Sequence, residues 1–118
     1  MDSLKTEMYC EKKYELEEIK GILIEEFAKL KISDGIFRAE SLRELGEVKI
    51  MLLSFERGYM RLGKDISLDI VLYEYQGSQY ADIVCGQYSL VSFGAEKDFV
   101  KTGEEILKNI GFETKMTV

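Results

Sequence analysis

Val48-Lys49-Ile50-Met51-Leu52-Leu53-Ser54-Phe55 decides the fold. The run is short, rich in branched and apolar side chains, and bounded by Gly46 before it and Gly58 after it. A run of this length with glycine borders reads as a sheet strand, spanning residues 47–57, rather than a helix. Both of its alternating sets are apolar: Val48, Ile50 and Leu52 project to one side, Met51, Leu53 and Phe55 to the other. A strand apolar on both sides normally has cover on both sides. The expectation is therefore a sheet held as a middle layer.

Toward the C-terminus, residues 65–75 alternate strictly, with Ile66, Leu68, Ile70 and Leu72 on one parity. Gln76-Gly77-Ser78-Gln79 reads as a hairpin turn, and residues 80–87 as the return strand. Pairing Tyr75 with Tyr80 would set Leu72 opposite Ile83 and Ile70 opposite Cys85. One face then carries Ile66, Leu68, Ile70, Leu72, Ala81, Ile83 and Cys85, without a charge. The other carries Asp69, Val71, Tyr73, Tyr75, Tyr80, Asp82 and Val84. Residues 36–43 form a weaker strand, with Gly46 in the following turn, and Gly58 to Lys64 reads as a loop with two glycines.

Helical periodicity flanks these strands. Leu16, Ile19, Leu23, Phe27 and Leu30 recur at spacings of three and four, giving a helix over 12–31 that Ser33-Asp34-Gly35 stops. Phe99, Val100, Ile106, Leu107 and Ile110 mark a second helix over 95–110, with Gly94 as its N-cap and Gly111 at its stop. Residues 5–11 read equally as an early strand or a lead-in. The fold class is α+β, a four-stranded antiparallel β-meander between an N-terminal and a C-terminal helix, as one domain over 1–118.

Composition narrows the chemistry. The chain has 118 residues, 46% hydrophobic and 32% charged, enough to bury a core without a metal or disulfide staple. Its net charge of −6 disfavours nucleic acid and anionic membranes as partners. No apolar run approaches a membrane span, and Met1 to Lys5 does not resemble a secretory signal, so a cytoplasmic location is expected. In that reducing compartment Cys10 and Cys85 are expected to stay free. There is no histidine, which removes histidine-based acid–base catalysis and histidine metal sites. No catalytic residue, metal or cofactor is expected.

Binding candidates remain. Arg57 and Arg61 flank Gly58-Tyr59-Met60 and could hold an anion as fork donors, with Tyr59, Tyr73 and Tyr75 nearby; the plainer reading is a solvated hairpin loop. Asp69 and Asp82 share the tyrosine-rich face, but paired carboxylates arise easily on an acidic chain. Cys85 has no histidine partner and is expected in the core. Three arrangements would cover the second sheet face: the helices on opposite faces or a terminus draped across it; both helices on one face and a partner on the other; or a small molecule in a pocket. For a partner, the interface candidates are Met51, Leu53, Phe55, Val71, Tyr80 and Val84.

The stretch from Glu47 to Phe112 resembles a family of small bacterial proteins known as a domain of unknown function. The resemblance is carried by Ser54-Phe55-Glu56-Arg57, Tyr59-Met60-Arg61, the alternation to Leu72, Gly86, and Phe93-Gly94-Ala95-Glu96-Lys97-Asp98-Phe99. It implies a bacterial source and a compact α+β fold, and it transfers no catalytic residue. The functional expectation is a non-enzymatic interaction module, self-associating through its sheet as a homodimer. The alternative is a binder of a small anionic or aromatic ligand at the 56–64 loop and the tyrosine-rich face.

Overall fold

The computed structural model describes residues 4–29, 36–59, 64–85 and 93–114. In chain order the elements are β1 (Leu4–Glu11), α1 (Leu16–Ala28), β2 (Ile36–Leu45), β3 (Val48–Tyr59), β4 (Lys64–Tyr75), β5 (Ser78–Cys85), α2 (Phe93–Asn109) and β6 (Glu113–Thr114). The strands make one antiparallel sheet in the order β2-β3-β4-β5-β1-β6. The class is α+β and the β2–β5 meander is present. The four-strand count is corrected to six among the described residues, and the helices do not flank the sheet as first and last elements: β1 precedes α1 and β6 follows α2.

Two tight turns set the register. Gly46-Glu47 joins β2 to β3 with φ of 61° at Gly46, the positive first position of a type II′ turn. Gln76-Gly77 joins β4 to β5 with φ of 50° and 80°, the two positive values of a type I′ turn. This turn is two residues shorter than the Gln76–Gln79 reading. Tyr75 therefore pairs with Ser78, not Tyr80, and the inner pairs become Leu68–Cys85, Ile70–Ile83 and Leu72–Ala81. A slip of two preserves the faces, because side chains alternate with period two.

Both helices lie on the same face of the sheet. β1 and β2 point the same way at opposite sides of the sheet, and α1 crosses between them. β5 and β6 also share a direction, opposite to that of β1, and α2 crosses over β1 in the reverse sense. Right-handed crossovers from oppositely directed strands, moving in opposite senses, send their helices to one side. Under them lie Thr6, Met8 and Cys10 of β1, Met51, Leu53 and Phe55 of β3, Leu68, Ile70 and Leu72 of β4, and Ala81, Ile83 and Cys85 of β5. Ile19, Leu23 and Phe27 of α1 and Phe99, Ile106 and Leu107 of α2 complete the core. Phe27 packs on Phe55 at 4.6 Å between ring centroids and meets Phe99 edge-on at 5.6 Å.

Local chemistry ends the helices. Glu18 accepts the Glu15 backbone N–H at 2.9 Å at the start of α1, so Lys12 to Glu15 is a connection rather than helix. α2 begins at Phe93, which places Gly94 inside its first turn instead of at the cap. Gly111, at φ 112°, closes α2 in a Schellman pattern: the Phe112 N–H donates to the Leu107 carbonyl and the Gly111 N–H to that of Lys108. The expected 58–64 loop is narrower, since β3 runs to Tyr59 and pairs with Lys64 at the start of β4. Residues 30–31 and the Ser33-Asp34-Gly35 stop lie outside the described residues.

Candidate functional site: the open sheet face

The face away from the helices is ordered in rows, because each strand pairs in register with the next. One row crosses all six strands: Arg43, Ile50, Tyr73, Tyr80, Tyr9 and Glu113. The next holds Ser41, Leu52, Val71, Asp82 and Glu7, and a third holds Ala39, Ser54, Asp69, Val84 and Lys5. No described element packs over these rows. Val48, Ile50, Val71, Tyr73, Tyr80 and Val84 are half-buried by their sheet neighbours alone. Leu52 is 39% exposed and Tyr9 42% exposed.

The sequence-level interface candidates divide between two faces. Val71, Tyr80 and Val84 lie on the open face. Met51, Leu53 and Phe55 do not: they are fully buried beneath the helices, which corrects their assignment to an interface. Their place on the open face is taken by Val48, Ile50 and Leu52. The signal was present in β3, where the Ile50–Leu52 set continues into Ser54 and Glu56, while Met51, Leu53 and Phe55 hold three uninterrupted apolar positions. The expectation that β3 is shielded on both sides is met on its inner side only among the described residues.

Tyr73 and Tyr80 stack at 5.0 Å with planes 18° apart, and Tyr9 sits across from Tyr80 on the neighbouring strand. Burial, then the carboxylates of Asp82 and Glu7, push the Tyr73 phenol above its usual value. Glu7 and Asp82 are directly opposed, and Lys5 offsets part of that charge through a 2.8 Å ion pair with Glu7. Asp69 faces Val84, so Asp69 and Asp82 are diagonal neighbours rather than a facing pair. The described residues contain no cluster of metal-ligating side chains.

The ligand candidates are only partly placed. Tyr73 and Tyr75 are on the open face. Of Arg57 and Tyr59 the backbone alone is described, at the end of β3, and Arg61 lies outside the described residues. A cleft of about 440 Å³ adjoins the tyrosines where β1, β5 and the Gly111 turn meet, lined by Tyr9, Glu11, Lys13, Ser78, Tyr80 and Glu113 among others. Cys10 borders it, but its thiol is buried, bonds to Gln79 Oε1 at 3.8 Å, and is shifted upward by that burial, away from nucleophile behaviour. Cys85 is buried in the core, with its Sγ donating to the Ser67 carbonyl at 3.3 Å.

The face thus offers apolar and aromatic area with a fringe of charge. No described helix is long and apolar enough to cross a membrane. No protein-family model, curated protein or solved structure matches the chain.

Proposed function

We propose that the chain is a non-enzymatic interaction module that self-associates by packing the open faces of two copies together. The observation that carries this reading is the double-sided apolar character of β3. Its inner set fills the core, while Val48, Ile50 and Leu52 continue into Val71, Tyr73 and Tyr80 as one apolar and aromatic surface. Surfaces of this kind mark interaction sites more often than bare exteriors, and tyrosine is favoured at interfaces for its rigid, amphipathic ring. Two such sheets stack face to face at a spacing of about 10 Å.

The test is a charge at the centre of that surface. Leu52→Glu places a carboxylate between two apolar faces without touching the helix-covered core. Multi-angle light scattering should give a dimer for the unmodified chain and a folded monomer for Leu52→Glu. A Leu52→Glu variant as dimeric as the parent would remove the face from the interface.

The second reading, a small-ligand site, has support in the cleft beside Tyr9 and Tyr80. Glu11 and Glu113 outnumber Lys13 on its walls, which favours a neutral or cationic aromatic molecule over an anion. A thermal-shift series with aromatic compounds separates the readings. A ligand at about 100 times its dissociation constant stabilises by nearly 3 kcal/mol, and that stabilisation should persist in monomeric Leu52→Glu if this reading is right.

A further inference from the structure

We infer that the two copies are related by a two-fold axis running parallel to the strands, between β3 and β4. The inference rests on the reading that a second copy covers the open face, and adds its geometry and register. A twisted sheet is a saddle. Two saddles nest only when their curvatures match, and a two-fold axis lying between the faces preserves the curvature if it runs along the strands or across them. An isologous dimer of aligned sheets uses one of these.

The rows choose between them. An axis across the strands lays every strand over its own copy. The side of the face that carries Glu7, Asp82 and Glu113, with Lys5 as its one cation among the residues of these rows, would then lie on its own copy. An axis along the strands between β3 and β4 lays each residue over the copy of its own cross-strand neighbour. Ile50 meets the partner's Tyr73, Leu52 meets the partner's Val71, and Ser54 meets the partner's Asp69, so apolar faces apolar and hydroxyl faces carboxylate. β2 then lies over the partner's β5. Arg43, exposed at the end of the first row, comes to rest on the partner's Tyr80, one row from the partner's Asp82. A guanidinium on an aromatic face beside a carboxylate is a favourable seat. Two-fold symmetry supplies it twice.

Charge reversal at that seat tests the axis. Sedimentation velocity should show Arg43→Glu and Asp82→Arg each weakening the dimer by about tenfold or more, and the double variant returning to within about threefold of the parent. Circular dichroism checks that each variant is folded. If Asp82→Arg does not fold, Ser41→Asp serves instead: it sets a carboxylate over the partner's Asp82, and Asp82→Asn in the same chain should undo its effect. A dimer that Leu52→Glu dissociates, but that ignores Arg43→Glu or is not rescued by the double reversal, overturns the axis and leaves self-association standing. A parent chain that is monomeric throughout overturns both.

Discussion

Leu52 and Phe55 stand three positions apart on one strand and serve different surfaces. Phe55 is enclosed by Phe27 and Phe37 under the helices, whereas Leu52 points away from them. Phe55→Ala should cost about 3–5 kcal/mol in urea denaturation. Leu52→Ala, measured on the dissociated chain, should cost under about 1 kcal/mol. Equal losses would show that β3 is not oriented as described. Gln79 carries a different duty. Fully buried beside Cys10, it donates to the Tyr14 carbonyl at 2.7 Å and to Glu74 at 2.9 Å, and Lys12 reaches Glu74 at 3.0 Å. Burial by itself would raise the Glu74 carboxyl, but the bonds from Gln79 and Lys12 outweigh it and hold it below its ordinary value. A carboxyl lower in the folded chain than in the unfolded one stabilises above the unfolded value, and the gain disappears as pH falls through the folded one. Stability to urea should therefore decline as pH falls below the ordinary carboxyl value of 4.5, and less steeply in Glu74→Gln. Parallel declines would remove Glu74 from the account. None of this network was legible in the sequence, because it depends on which ends of β1 and the β4–β5 hairpin meet.

At the scale of elements, periodicity carried most of the reading and turn chemistry the rest. The alternation of β4 and β5 identified the inner face correctly even with the hairpin register two residues out, because a slip of two leaves every side chain on its own side. Ser78 has a turn-type side chain and Gln79 a polar one, yet both belong to β5. Gln79 is in fact the buried end of a strand, and the turn needs only Gln76 and Gly77. Gly77→Ala should accordingly cost about 1–2 kcal/mol through its left-handed backbone, with no steric contact involved. β1 is ambiguous in sequence because its pattern is mixed: Thr6, Met8 and Cys10 turn inward, but two of these are polar or weakly apolar, and the outward Lys5, Glu7 and Glu11 suit a lead-in equally well. β6 is two residues long and gives no periodic signal. In α1, Gly21 is exposed and an added methyl would meet nothing within 4 Å. Gly21→Ala should raise stability by about 0.5–1 kcal/mol, read from the denaturation midpoint. A loss would mean that the helix needs glycine there for a contact not seen in the folded chain.

For the molecule as a whole, the side each helix takes follows from connectivity. Once β1 is known to lie beyond β5, right-handed crossovers place α1 and α2 together. Without β1 and β6 in the sheet, the sequence could not separate that arrangement from helices on opposite faces. The apolar character of both sides of β3 was legible from the outset. What was not legible was which side remains uncovered by the described residues, and the interface candidates split between core and open face for that reason. Two layers among the described residues, with a third layer's worth of apolar side chains, are the physical basis for expecting a second copy. Sedimentation equilibrium of the unmodified chain across the micromolar range measures this directly. The expected result is a mass twice 13.6 kDa that falls toward 13.6 kDa on dilution; a constant 13.6 kDa at every concentration would contradict it.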